Sequence, residues 1–160
     1  MQTIAYNREK AVTYARKWAL SRNPAYYDFQ SLGGDCTNFA SQCLYAGSGI
    51  MNYTPVTGWF YRTASDRTPS WTAVEYLYKF LVGNKSVGPF AAVTSRFEVQ
   101  PGDIVQLADS SGTFYHSPVI TAVYPTIIVC THTFDALDRP LYTYSYSTAR
   151  FLHIEGVRVW

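Results

Sequence analysis

The residues of this chain best suited to covalent catalysis are its three cysteines and three histidines. Cys36 follows the turn-forming Gly33-Gly34 pair and Asp35. Asp is a preferred N-cap residue, so a helix is predicted to begin at Cys36. The unpaired backbone N–H groups at a helix start favour the thiolate, which is the nucleophilic form of cysteine. We therefore predict Cys36 as a nucleophile, the alternative being a buried structural cysteine.

The other two cysteines have no such placement. Cys43 lies two turns inside the same predicted helix, and Cys130 lies in an apolar, β-branched run, so both are expected in the core. The chain has no CxxC pair, and Cys36 and Cys43 would be separated by roughly 10 Å along a helix axis, beyond disulfide reach. Neither a disulfide framework nor a four-cysteine zinc site is predicted.

A thiolate nucleophile needs an imidazole to exchange protons with it and with the leaving amine. His116, in GTFYHSPVIT, lies where a strand end can present it to a cleft. His132, in CTHTFD, is the first candidate to orient its ring, and Asp135 is the alternative. His153 fits an ordinary sheet residue. Cys130, His132 and Asp135 match no standard zinc spacing, so no metal and no cofactor are predicted.

The helices needed to position these side chains are expected in the first half of the chain. Helical periodicity predicts helices over 8–20, with Asn7 as its cap, and from Cys36 to Gly47. A third helix is predicted from Ser70 or Thr72 through Val82, with Thr72-x-x-Glu75 as a capping box. The stretch 48–69 has no clear period and is expected to be an irregular wall of a cleft.

Strand patterns dominate the second half. Pro101-Gly102-Asp103 predicts a turn before a strand over 104–107. This strand is expected to pair in a hairpin with 114–123. Further strands are expected over 127–130, 151–154 and 157–160. Pro118 removes a ladder N–H and predicts an edge or a bulge after His116. Helices followed by strands indicate a single α+β domain over residues 1–160 with an antiparallel sheet.

Composition narrows the function classes. With 48% hydrophobic and 15% charged residues the chain is globular, and 13 Lys and Arg against 11 Asp and Glu, without a run of like charges, argue against a nucleic-acid partner. No apolar run reaches the ~18 residues of a membrane span, and MQTIAYNREK lacks the apolar core of a signal peptide.

The segments GGDCTNFASQCLYAGSG, PGDIVQL, FYHSPVIT and THTFDALDRPL, in that order, resemble the putative amidase domain family of papain-like cysteine hydrolases. More distantly, the chain is similar to cell-wall peptidases of the NlpC type and to CHAP amidases. The resemblance implies a papain-like fold in which N-terminal helices pack on an antiparallel sheet. It also implies Cys36 as nucleophile, His116 as general base and acid, and His132 or Asp135 as the orienting residue.

The same resemblance implies hydrolysis of amide bonds in peptidoglycan peptides or related cell-wall amides through a thioester. The oxyanion donors would be the Cys36 backbone N–H and Gln30, which stands at the spacing of a papain-type glutamine donor. An exported or cell-wall-associated bacterial protein, and a place within a larger multidomain protein, are compatible with it. The alternative is a non-catalytic cell-wall or carbohydrate-binding module, in which Tyr142, Tyr144 and Tyr146 alternate along one strand face.

Overall fold

The computed structural model describes residues 1–160 and contains four α-helices. They are α1 (Arg8–Trp18), α2 (Cys36–Ser48), α3 (Pro69–Thr72) and α4 (Val74–Gly83), and a single 3-10 turn spans Leu141–Thr143. None of the helices has the length and apolar character that crossing a membrane requires. The Asn7 side chain accepts a hydrogen bond from the Lys10 amide at 3.0 Å, which confirms Asn7 as the α1 cap.

Ten strands form two antiparallel sheets. The strands are β1 (Gln2–Ile4), β2 (Tyr61–Thr63), β3 (Asp66–Arg67), β4 (Gly88–Thr94), β5 (Ile104–Ala108), β6 (Phe114–His116), β7 (Val119–Ala122), β8 (Ile128–Thr131), β9 (Ala136–Pro140) and β10 (Thr148–Val159). The eight-stranded sheet runs β1-β10-β5-β7-β8-β9, with β4 paired to β10 and β6 paired to β5. β2 and β3 form a separate ribbon. The predicted α+β class with N-terminal helices and an antiparallel sheet is confirmed.

The apolar core lies on both faces of this sheet. The larger cluster packs the helices against one face and contains Phe39, Trp59, Trp71 and Ile104. The smaller cluster lies on the other face. It includes Val105 and Leu107 of β5, Ile120 of β7, Val129 of β8 and Leu141 of the 3-10 turn. Because every residue of β5 is buried, a polar side chain in this strand must find its partners inside the protein.

The predicted Pro-Gly-Asp turn is tied to both ends of the chain by Asp103, whose side chain is fully buried. Its carboxylate accepts hydrogen bonds from Arg8 at 2.8 Å and from the amides of Gln100 and Ile154 at 2.8 and 2.9 Å. His153 Nδ1 lies 2.9 Å from the same carboxylate. This cluster joins the start of α1, the start of β5 and the middle of β10, so His153 has a structural place in the sheet.

Several predicted elements differ in detail. The third helix is broken at Ala73, and no capping box forms because the N-cap of α4 is Ala73 while Thr72 is the last residue of α3. The two terminal strands are one strand, β10, with a register shift between Ile154 and Gly156. The strand after His116 is interrupted at 117–118, as expected for Pro118.

The segment with three alternating tyrosines is not a strand. It forms the 3-10 turn Leu141–Thr143 and an extended, non-paired stretch after it. Tyr142 is exposed, whereas Tyr144 and Tyr146 pack against the smaller core cluster. The predicted one-sided aromatic face for stacking on sugar rings is therefore wrong, because two of its rings are used in packing.

Candidate active site

Cys36 is the first residue of α2, as predicted, and Asp35 is the residue before it. α2 is buried almost all round, including its polar residues Thr37, Asn38 and Ser41. The two glycines before it have positive φ angles of 94° and 105°, which an L side chain rarely adopts. At Gly34 a Cβ would also lie 2.9 Å from Thr133 Oγ1. The Gly-Gly pair thus allows the chain to enter a helix in the middle of the protein.

The Asp35 carboxylate organises this turn. It accepts hydrogen bonds from the Phe29 amide at 2.8 Å and from Asn38 Nδ2 at 2.9 Å. The Asp35 amide donates to Thr133 Oγ1 at 2.9 Å. Asp35 does not cap α2 with its side chain; it fixes the loop that precedes Cys36 instead.

The Cys36 sulfur lies near the residue that follows His116. Thr37 Oγ1 lies 3.8 Å from the sulfur, and the hydroxyls of Thr37 and Ser117 lie 3.2 Å apart. Burial raises the pKa of the Cys36 thiol, and the Asp35 charge acts in the same direction. The polar groups of Ser117 and Thr37 oppose this rise but do not cancel it. The resting group is therefore a thiol at neutral pH, which differs from the low pKa that the helix start predicted.

His116 ends β6, where it pairs with Leu107 of β5, and it is 5% exposed. Burial lowers its pKa to about 4, and the nearby Arg139 guanidinium contributes further. Its ring centroid lies 5.9 Å from that of Tyr144. At neutral pH the ring is uncharged and can accept a proton, as a general base must.

His132, predicted to orient His116, is held elsewhere. Its Nδ1 lies 2.5 Å from Asp35 Oδ2, its Nε2 lies 2.8 Å from the Trp18 carbonyl oxygen, and the ring stacks on Phe39 at 4.1 Å. Both ring nitrogens are thus occupied, so neither is available to His116. Through these two contacts the ring connects the loop that precedes Cys36 to the end of α1.

The other two predicted residues also lie outside the expected contacts. Asp135 forms a two-pronged ion pair with Arg22, at 2.9 and 3.1 Å, and makes no hydrogen bond to His116. Gln30 is exposed, and its backbone amide donates to Asp28. The Cys36 amide, at the first position of α2, remains the donor without an intrahelical partner.

Sequence reasoning missed three buried polar residues that connect to the sulfur through hydrogen bonds, which are Thr37, Ser117 and Gln106. The signal for Ser117 was its position between His116 and Pro118, where the strand breaks and the backbone amide is freed for another partner. Gln106 carried a signal too, since a glutamine in a strand buried on both faces needs buried partners. Thr37 had no signal beyond adjacency to Cys36.

The remaining chemistry-bearing residues are dispersed. All three cysteines are free, and Cys43 and Cys130 are buried as predicted. Burial raises the pKa of Cys130 to about 11 and that of Cys43 well above its usual range. The structure contains no group of three or more His, Cys, Asp or Glu side chains placed to hold a metal ion.

Comparison with known proteins gives the family of the chain. A family model described as "Putative amidase domain" matches residues 5–154. The chain belongs to the putative amidase domain family. Within this family assignment, the chain is similar to the uncharacterized protein YhbB of Bacillus subtilis (strain 168), at 35% identity over 124 residues. That match covers 76% of this chain and 39% of YhbB, so the chain spans less than half of its relative. A search of solved structures returned no match.

Proposed function

We propose that this chain is a cysteine-dependent amide hydrolase of papain-like architecture, with Cys36 as nucleophile and His116 as general base and acid. The single observation that carries the proposal is the hydrogen bond of 3.2 Å between the hydroxyls of Thr37 and Ser117, the residues that follow Cys36 and His116. It joins a cysteine at a helix start to the end of a strand that carries a neutral, buried histidine. Membership of the putative amidase domain family supports the reaction class.

The reaction in this proposal is acyl transfer. His116 removes the thiol proton while the Cys36 sulfur attacks the amide carbonyl carbon, and the resulting imidazolium protonates the leaving nitrogen. Water, deprotonated by His116, then attacks the thioester and releases the acid and the free thiol. Because burial raises the pKa of Cys36 and lowers that of His116, the proton moves as the sulfur attacks rather than beforehand.

The oxyanion of the tetrahedral intermediate needs a positioned donor. The backbone N–H of Cys36 fills this role in the proposal, since it lies beside the sulfur and has no partner within α2. Loss of one such donor typically raises a barrier by about 3 kcal/mol. Gln30 is exposed, so the proposal assigns it no part in binding the oxyanion.

The substrate in this proposal is peptidoglycan peptide or a related cell-wall amide. This assignment is supported by the resemblance to NlpC-type peptidases and CHAP amidases, which act on bacterial cell walls. His132 is assigned to holding Asp35 and the Cys36 loop, because both of its nitrogens are already bound.

The test is to incubate the protein with purified peptidoglycan and with its soluble peptide fragments, and to measure new amino groups and fragment masses. We expect hydrolysis that Cys36→Ala abolishes, with a thioester of the protein that maps to Cys36 by mass spectrometry. Cys130→Ala is the matched control, since that thiol is buried beside Asp138 and outside the site. Equal hydrolysis by the Cys36→Ala variant would overturn the proposal.

A further inference from the structure

A continuous chain of polar groups leads from Arg150 of β10 to the Cys36 sulfur. Arg150 Nε donates to Gln106 Oε1 at 2.8 Å, and Gln106 Nε2 lies 3.1 Å from Ser117 Oγ. Ser117 Oγ lies 3.2 Å from Thr37 Oγ1, which in turn lies 3.8 Å from Cys36 Sγ. Gln106, Ser117 and Thr37 are at most 1% exposed, so water does not compete for these groups.

The orientation of the glutamine amide in this chain is determined by its neighbours. A guanidinium has donors only, so the Gln106 atom that faces Arg150 must be the carbonyl oxygen. Gln106 Nε2 also donates to the Val74 carbonyl oxygen at 3.0 Å, which can only accept. The second N–H of this amide group is then directed to Ser117 Oγ.

A single direction satisfies both hydroxyls. Ser117 Oγ accepts a hydrogen bond from Gln106, and its own O–H is free to donate to Thr37 Oγ1, its other hydroxyl neighbour. Thr37 Oγ1, accepting from Ser117, can then donate its O–H to the Cys36 sulfur. In this arrangement every donor in the chain points toward Cys36.

The far end of the chain is firmly held. The Arg150 guanidinium lies 3.6 Å from the ring centroid of Tyr78 and 3.8 Å from that of Phe114. Its Nη2 donates to Glu75 at 2.8 Å. The two rings and the carboxylate restrict the guanidinium to one orientation, and this in turn keeps the glutamine amide from flipping.

We propose that Gln106, Ser117 and Thr37 form a one-way hydrogen-bond relay, anchored by Arg150, that aims a hydroxyl donor at the Cys36 sulfur and stabilises its thiolate. These are positioning residues, and their assignment rests on the proposed function of Cys36 as nucleophile. The titratable group that acts on the sulfur is Asp35, which disfavours the thiolate, and His116 precedes Ser117 in the chain. The relay offsets the effect of Asp35 without introducing a buried cation next to the sulfur.

The test is a pH titration of the Cys36 thiol. The thiolate is monitored by its ultraviolet absorbance, from which the absorbance of the Cys36→Ala protein is subtracted. Thr37→Val keeps the shape of the side chain and removes the donor. A hydrogen bond to a charged group contributes about 1.5–3 kcal/mol, so the thiolate fraction at a pH below the pKa should fall by about 10-fold to 150-fold. Thr37→Ser, which keeps the hydroxyl, should restore the titration.

Ser41→Ala is the matched control, because it removes another buried hydroxyl of α2, one that bonds Trp71 and Trp59 instead of the sulfur. Its Cys36 titration should equal that of the unchanged protein. An unchanged titration in Thr37→Val, or an equal shift in Ser41→Ala, would overturn the relay.

The direction of the relay is tested by Gln106→Glu. A carboxylate only accepts, so Ser117 would donate to it, Thr37 would donate to Ser117, and the sulfur would lose its donor. We expect the double variant Thr37→Val/Gln106→Glu to show less than the sum of the two single shifts. Full additivity would mean that the new charge acts on Cys36 directly, which would contradict the relay.

This titration is independent of turnover. Hydrolysis that needs Cys36, together with an unshifted thiolate in Thr37→Val, would leave the proposed function standing and remove the relay. If Thr37→Val shifts the titration of Cys36 but the protein hydrolyses no amide, the relay stands and the proposed function is removed.

Discussion

At the scale of single residues, burial decides the charge states of the candidate pair. A helix start favours a thiolate, but Cys36 and His116 are 7% and 5% exposed, and removal from water disfavours the charged form of each. Both pKa changes therefore favour an uncharged thiol at Cys36 and an uncharged imidazole at His116. His132, in contrast, faces two acceptors, and its stacking on Phe39 fixes it as part of the support of the Cys36 loop.

The lowered pKa of His116 makes stability depend on pH. The unfolded chain binds a proton at this histidine near its ordinary value of 6.5, whereas the folded chain does so at about 4. The free energy of unfolding should therefore fall by about 3 kcal/mol as the pH drops from 6.5 to 4. The measurement is chemical unfolding across this range, with His116→Gln as reference. Parallel pH curves for the two proteins would contradict the prediction.

At the scale of elements, the loop before α2 and the loop after β8 hold each other. The Asp35 amide donates to Thr133 Oγ1, and Gly34 lies in contact with the same threonine. Thr133 itself has a φ of 60°, unusual for a β-branched residue, which is consistent with a hydroxyl held in place by this contact. The position of Cys36 thus depends on a loop nearly a hundred residues away in the chain.

Substitutions at two neighbouring glycines, Gly33 and Gly34, distinguish the cost of backbone strain from the cost of a steric contact. Gly33→Ala places a side chain at a φ of 94° in open space and should cost about 1–2 kcal/mol of stability. Gly34→Ala adds a contact of 2.9 Å with Thr133 Oγ1, and should cost about 2–4 kcal/mol and reduce turnover. Thermal unfolding and hydrolysis rates compare the two variants. Equal losses of stability and turnover would show that the Thr133 contact is unimportant.

At the scale of the whole molecule, the helices and the sheet are joined by buried polar clusters as well as by apolar packing. The Arg8–Asp103 pair links the first helix to β5 and β10, and Arg8 also donates to the carbonyl oxygens of Pro101 and Ile154. The relay from Arg150 to Cys36 connects β10 to the start of α2. These clusters fix the register between layers that apolar contacts alone would allow to slide.

The Asp103 cluster gives a prediction for global stability. Asp103→Asn leaves Arg8 without its carboxylate in a buried setting, and should lower the free energy of unfolding by about 3–5 kcal/mol. Asp66→Asn is the matched control: it breaks the exposed Arg62–Asp66 pair and should cost less than about 1 kcal/mol. Denaturant unfolding measures both. A loss for Asp103→Asn as small as that for Asp66→Asn would refute the role of the cluster.

The helix at Cys36, the cap at Asn7, the strand break at Pro118 and the antiparallel α+β class were predictable from sequence, because each depends on local periodicity or backbone chemistry. The partners of the polar side chains were not. His132 and Asp135 are bound to Asp35 and Arg22, whereas Gln106, Ser117 and Thr37, from three separate parts of the chain, form a hydrogen-bonded series that ends at the sulfur. Hydrogen-bond partners and burial depend on which segments the fold brings together, and local sequence carries little information about those distances. The sequence alone thus determined the main helices, the strands from β5 to β8 and the candidate nucleophile, while the tertiary structure decided the remaining strands, the neighbours of the polar side chains and their charge states.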